Sequence, residues 1–293
     1  MKNAIKYYYN LDVDSIRQID TTYYLLINNV NYILCECDLV ELEKIEKYLY
    51  NNYKFHNLIL TFDKKLGIIY NNKNYCLFKI NTIFRKISLD DILNSNLLIS
   101  SDGSSLIDRW IELWSVHIDY IENQMQEMNS NYNYLKRVIN YYIGLAETAV
   151  QFLKSINKQS IPLYLVHKRV RYTTNLVDLY NPSFLVIDTR IRDIAEYFKD
   201  IFFFKDDLES NIISNIKMLL PNYTNIEKQL FFARMIYPTY FFDKYEEIIQ
   251  FHKNEKILDT IISKSDKYEK LLNAIFIEIK KTTYIQNIDW LII

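Results

Sequence analysis

The chain has 293 residues, of which 49% are apolar and 24% charged, and its 35 basic side chains are balanced by 36 acidic ones. That length allows one large core or two lobes, and the composition is that of a folded globular chain, not a disordered one. With no basic field, nucleic-acid binding is not expected. The start, Met1–Asn10, lacks the apolar core of a signal peptide, and no run of about 18 apolar residues is available to span a membrane. Synthesis in the cytoplasm is the expectation.

In chain order, Tyr23–Asn28 and Tyr32–Cys37 are apolar, β-rich runs joined across Asn29–Asn31, the pattern of a hairpin. Leu39–Tyr50 carries Leu42, Ile45, Tyr48 and Leu49 at helical spacing. Leu58–Phe62, Leu66–Tyr70 and Tyr75–Ile80 read as strands, separated by turn-like Asp63–Lys65 and Asn71–Asn74. Beyond residue 85 the periods become helical, over Leu106–Met125 and Val138–Ile156. A strand-like passage, Ile161–Asp188, precedes predicted helices at Ile194–Phe204, Asn225–Ile236, Phe241–His252 and Lys256–Ile279. Pro238 ends a helix at Tyr237. The Trp110, Trp114 stripe and the aromatic runs Phe202–Phe204 and Tyr240–Phe242 are expected in the core, with a partner-docking face as the alternative. The fold class is α+β and bilobal, with a strand-rich lobe over 1–84 and a larger helical lobe over 85–293.

Three glycines, Gly67, Gly103 and Gly144, lie too far apart to build a phosphate-cradling loop. Cys35 and Cys37 share one strand face, a weak metal hint with only Cys76 and distant histidines to complete a set; buried thiols are the plainer reading.

The segment Leu163–Arg171 (LYLVHKRVR) contains His167-Lys168-Arg169, which looks like a kinase catalytic loop lacking its carboxylate. Phosphotransferases of that type carry His-x-Asp, whose Asp accepts the proton of the attacking hydroxyl. Arg169 holds that place, and a guanidinium accepts no proton at neutral pH. The runs YYIGLAETA, LVHKRV, DLYNPSFLVID and RDIAEYFK between Tyr141 and Lys199 carry a wider resemblance, with LFFARMIYPTYFFD at Leu230–Asp243 and Asp289-Trp290-Leu291. Together they resemble the spore-coat kinase-like family of the YutH and CotS type, which is related to the aminoglycoside and choline phosphotransferases. The resemblance implies a bilobal protein-kinase-like fold of aminoglycoside phosphotransferase type. It also implies a place in the bacterial endospore coat, with other coat proteins as partners.

Taken as a kinase, the chain should place its nucleotide loop near Thr21–Asn31, where there is no glycine, and its phosphate-pairing lysine on Tyr32–Cys37, which holds Cys35, Glu36 and Cys37 instead. Glu43 or Glu46 is then left without that lysine. Asp188 lies nineteen positions after Arg169, a separation resembling that between the kinase loop and its metal-binding Asp, and Asn175 lies near the second metal ligand. The resemblance puts Arg192-Asp193 in the family's Arg-Asp-aliphatic-Ala motif, with Asp193 opening a helix and bracing the loop. His167 is expected to prop the loop backbone rather than act as a base. Lys168, Arg169 and Arg171, with Arg190 and Arg192 possible neighbours, form either an anion pocket or internal pairs with Asp178, Asp188 and Asp193.

Two functions follow. The first is a pseudokinase without cofactor, acting as a structural or assembly component of the coat. The second is an active phosphotransferase using ATP and Mg²⁺, with Asp188 as metal ligand and Asp178 or a recruited carboxylate as base; a ligand sensor is a third, weaker option.

Overall fold

The computed structural model describes residues 1–19, 21–49, 52–128, 132–205 and 209–291. In chain order its elements are α1 Lys2–Tyr9, β1 Ser15–Ile19, β2 Thr22–Ile27, β3 Val30–Glu36, α2 Leu39–Leu49, β4 Asn57–Ile59, β5 Ile68–Tyr70, β6 Lys73–Lys79, α3 Leu89–Ser95 and β7 Leu97–Ser100. There follow α4 Leu106–Glu127, α5 Asn133–Ser155, β8 Leu163–His167, α6 Leu176–Leu179, β9 Leu185–Asp188, α7 Ile191–Phe204, α8 Glu209–Leu219, α9 Asn225–Ile236, α10 Thr239–Phe251, α11 Asp259–Ile262 and α12 Ser265–Lys280. The chain divides into two compact units, Met1–Ile99 with Tyr164–Asp188, and Ser100–Leu163 with Thr189–Ile293. The first unit therefore runs past the boundary expected at residue 84 and takes in the His167 segment. The reason is a shared core: Leu165, Val177 and Leu185 pack with Ile33, Cys35, Leu42 and Ile45.

The first unit holds an antiparallel sheet of order β1-β2-β3-β6-β4, with β5 also on β6, and a smaller sheet β7-β8-β9. Two of its hairpins turn on asparagine pairs, Asn28-Asn29 with φ of 49 and 61° and Asn71-Asn72 with φ of 49 and 60°. Left-handed φ at both central residues is the geometry of two-residue turns that match strand twist, and asparagine tolerates it. The scarcity of glycine is met in this way. The strand β1 escaped the sequence reading because SIRQI is almost wholly exposed. The first hairpin is consequently β1–β2, ahead of the one expected across Asn29–Asn31. Helices α1 and α3 were also unforeseen; α1 buries only Ile5 and Tyr9, a single i, i+4 pair. Tyr50, the expected end of α2, lies outside the described residues.

Gly67 has a packing reason of its own. A Cβ there would lie 2.4 Å from the Tyr75 carbonyl oxygen and 2.9 Å from Cys76 Sγ. Gly67→Ala is expected to cost about 1–3 kcal/mol, the range for overpacking, since the nearest obstacle is backbone. Urea unfolding checks this, and an unchanged midpoint would contradict it.

In the second unit α9 packs against α5, α7 and α12. Trp110 and Trp114 are buried and stacked at 5.2 Å, and Trp114 stacks on Tyr237 at 4.2 Å. Phe203 stacks on Tyr240 at 3.9 Å. These aromatics are core. Helix α7 begins three residues before the predicted Ile194, which puts Asp193 inside its first turn. The predicted helix Lys256–Ile279 is divided between a 3-10 turn at Glu255–Leu258, α11 and α12.

Candidate functional site

The β1–β2 ribbon sets Arg17 opposite Tyr24 and Ile19 opposite Thr22. Side chains alternate along a strand, so these four share one face. That face, with Thr21 and Phe84, forms one wall of a cavity of about 830 Å³ in the first unit. The facing wall comes from the end of β8 and the segment after it: His167, Lys168, Arg169, Arg171, Thr174 and Asn175, then Asp178 and Phe184. The degenerate loop thus meets the first hairpin.

The interior of this segment is fixed by hydrogen bonds. His167 is buried, and its Nε2 donates to the Leu179 carbonyl oxygen at 2.6 Å. Since a carbonyl only accepts, Nε2 carries the proton and cannot act as a base. Lys168 is held at both ends, by its N–H to the Phe184 carbonyl oxygen at 2.8 Å and by Nζ to the Ser183 carbonyl oxygen at 3.0 Å. Between Arg169 and Arg171, Val170 is buried and anchors the loop. Asn175 is the N-cap of α6: its Oδ1 accepts from the Asp178 N–H at 2.9 Å and its Nδ2 donates to Asp178 Oδ2. Burial raises the Asp178 carboxyl, partly countered by that amide.

Asp188 is buried at the end of β9, paired in register with Tyr164 of β8. A metal on Asp188 and Asn175 would compete for an amide oxygen already used as a cap. Among the described residues, no group of three or more His, Cys, Asp or Glu side chains is placed to hold a metal ion. The other two motif residues, Arg192 and Asp193, belong to the second unit, where Asp193 is buried in the first turn of α7. Arg190 is also there, bonded to Glu227 at 2.7 and 3.1 Å, a partner that the sequence reading did not name.

The position of the phosphate-pairing lysine is filled differently. Ile33, Cys35 and Cys37 face the apolar side of α2, with Leu42 and Ile45 across from them. Cys35 is opposite Cys76 on β6, and all three thiols are free and buried. The hydrogen bond with Cys37 and burial raise the Cys35 thiol, which favours an inert protonated sulfur. Glu43 is exposed, and Glu36 points outward to Lys73 at 2.7 Å. Among the described residues no lysine–glutamate pair spans β3 and α2.

Sequence reasoning missed Arg17, Tyr24 and Phe84 because their grouping depends on strand register. It also missed His56, buried between β4 and α6, whose Nε2 donates to the Val177 carbonyl oxygen at 2.9 Å.

The fold is similar to that of an aminoglycoside phosphotransferase from Alicyclobacillus acidocaldarius subsp. acidocaldarius DSM 446, with TM-score 0.60 and 10% identity over 96% of this chain and 97% of that one. Spectinomycin phosphotransferase in its AMP-bound complex matches with TM-score 0.53 and 12% identity, over 94% of this chain and 96% of that one. The same enzyme with ADP and spectinomycin gives the same score and identity. At these identities the likeness concerns fold alone: an antiparallel sheet region followed by a mostly helical region, the aminoglycoside phosphotransferase type. No curated protein matches the sequence. Among the described residues no helix is long and apolar enough to cross a membrane. The sequence does match a family described as "Spore coat putative kinase YutH" over residues 2–275, and the chain belongs to that spore coat YutH family.

Proposed function

We propose that the chain is a catalytically degenerate kinase-like protein that acts by binding, as a structural or assembly component of the endospore coat. The observation that carries this reading is a pair of residue identities: Arg169 lines the cavity where a proton acceptor is needed, and Cys35 occupies an apolar strand–helix face that lacks a phosphate-pairing lysine. Positioning, phosphate neutralisation and the base are lost together. Other coat proteins are the proposed partners, and the coat of the spore the proposed location.

The competing reading is an ATP-dependent phosphotransferase using Mg²⁺ on Asp188, with Asp178 as base. It draws support from Asp178 facing the cavity and from the fold shared with phosphotransferases that bind nucleotide. A thermal-shift titration with ATP and GTP, with and without Mg²⁺ and Mn²⁺, separates the two. A ligand at about a hundred times its dissociation constant stabilises by roughly 2.7 kcal/mol. Adding the metal is expected to bring no further shift, and no ADP should form. A metal-dependent shift lost in Asp188→Ala, with ADP release, would establish the enzyme instead.

A further inference from the structure

We propose that the outer edge of β4, with the groove beside it, is a docking site for an extended segment of a partner protein, which joins the sheet as a further strand and sets a basic side chain against Glu46. This goes beyond the proposed coat role by naming the surface and the kind of segment it takes. It stands whether or not the chain is catalytic.

The backbone comes first. β4 closes the order β1-β2-β3-β6-β4, so one of its sides has no strand. The Ile80 N–H bonds the Asn31 carbonyl oxygen and the Cys37 N–H bonds the Asn74 carbonyl oxygen, both at 2.9 Å. Even-numbered residues of β6 therefore turn their peptide groups to β3. Leu77 and Lys79 are left to serve β4, through Ile59 and Asn57, and the peptide groups of Leu58 point outward. The flanking residues close the two ends of this edge: the His56 N–H bonds the Tyr180 carbonyl oxygen at 3.0 Å, and the Phe62 N–H bonds the Tyr8 carbonyl oxygen at 2.7 Å. Between them, the N–H groups of Leu58 and Leu60 have no partner among the described residues. Leu58-Ile59-Leu60 also carries none of the lysine or proline that protects natural sheet edges.

Two ladder residues give few hydrogen bonds, so the groove decides what binds. It has a volume of about 410 Å³ and lies between this edge and the end of α2, with Glu46, Leu49, Tyr53, Leu58 and Leu60 in its lining. Leu58, paired with Phe78, lies on the α2 side of the sheet, and Leu60, two residues on, shares that side. With Leu49 they form an apolar floor, beside which Tyr53 is 87% exposed. Glu46 is half-buried in the wall and has no ion-pair or hydrogen-bond partner among the described residues. A carboxylate so placed attracts a cation and repels an acidic segment. The segment that fits is extended, with an apolar and a basic side chain two residues apart on the α2 side.

The test follows amide hydrogen exchange in the full chain, residue by residue, by NMR. The probe is a blocked peptide of Thr-Val-Thr-Lys twice over. At about ten times its dissociation constant it should slow exchange at Leu58 and Leu60 about tenfold. Glu46→Gln should weaken binding roughly two- to fivefold, and so should glutamate in place of the peptide's lysines, by at least as much. N-methylation of every second peptide residue gives the signature of strand addition. Blocking one alternate set should abolish binding, and blocking the other should leave it. No slowing at Leu58 and Leu60, equal binding of the glutamate peptide, or indifference to both methylation patterns would each overturn the proposal. Slow exchange at these two amides without peptide, together with dimers in sedimentation, would also overturn it by assigning the edge to a second copy. None of these outcomes bears on catalysis, which the nucleotide titration tests separately.

Discussion

Glu196→Ala is expected to destabilise the second unit by about 3–5 kcal/mol, the range for breaking a buried ion pair from one side. Glu196 of α7 is buried and shared by two buried cations: its Oε1 accepts from Lys199 Nζ at 3.0 Å and from Arg234 Nε at 2.7 Å. Its Oε2 accepts from the Thr239 hydroxyl at 2.6 Å. Lys199 in turn donates to Thr239 Oγ1 at 2.7 Å and to the carbonyl oxygens of Arg234 and Tyr237 at 2.9 and 3.1 Å. An ammonium on the last carbonyls of α9 complements the negative end of that helix. Arg234 also lies over Trp110 and Trp114, at 5.2 and 5.6 Å from their ring centres. Removing the carboxylate leaves Lys199 and Arg234 side by side without the charge between them. Lys199→Met keeps the Glu196–Arg234 pair and removes donors from two carbonyls, so a smaller loss of about 1–3 kcal/mol is expected. Urea unfolding of both variants checks the order. If Lys199→Met proves the more damaging, the carboxylate is not the hub of this network.

Those same residues explain which parts of the fold were legible. RDIAEYFK contains Glu196 and Lys199, and LFFARMIYPTYFFD contains Arg234, Tyr237 and Thr239. Two of the runs that carried the family resemblance are thus the two halves of one buried polar network. Long amphipathic helices were equally visible: α9 matches its predicted bounds, since Thr224 and Glu227 form a capping box at its start and Pro238 closes its end. Elements with little apolar content were not visible. The exposed strand β1 offers no alternating pattern, so the hairpin it forms with β2 was not foreseen. Of the candidate site, the absence of a base at Arg169 could be read directly, because it depends on residue identity alone. The cavity could not, because Arg17 and Tyr24 meet Arg169 only through strand register and chain return.

His56 makes stability depend on pH between its ordinary value of 6.5 and the lowered value of about 4. Its ring is satisfied only when neutral: Nε2 donates to the Val177 carbonyl oxygen at 2.9 Å, while Nδ1 accepts from the Asn81 N–H at 3.3 Å. A second proton would be placed against that N–H. Burial lowers the imidazole from 6.5 to about 4, against a smaller opposing effect of the Val177 carbonyl. Between those values the unfolded chain binds a proton that the folded chain refuses, so the stabilisation is whole above pH 6.5 and is lost as pH falls to about 4. The loss amounts to roughly 3 kcal/mol at the acid end. In His56→Gln this component should disappear, so the difference between unfolding free energies at pH 7 and pH 4.5 should shrink by about 2–3 kcal/mol relative to the parent chain. Equal pH dependence in both proteins would show that His56 is not the titrating group. The consequence reaches the cavity, because the His56 backbone N–H also bonds the Tyr180 carbonyl oxygen at 3.0 Å and so ties β4 to both ends of α6. Acid that protonates His56 releases α6, and with it the Asn175 and Asp178 side chains of the cavity wall. Amide exchange in α6 should therefore accelerate below pH 6 in the parent chain and stay flat with pH, once corrected for intrinsic exchange, in His56→Gln.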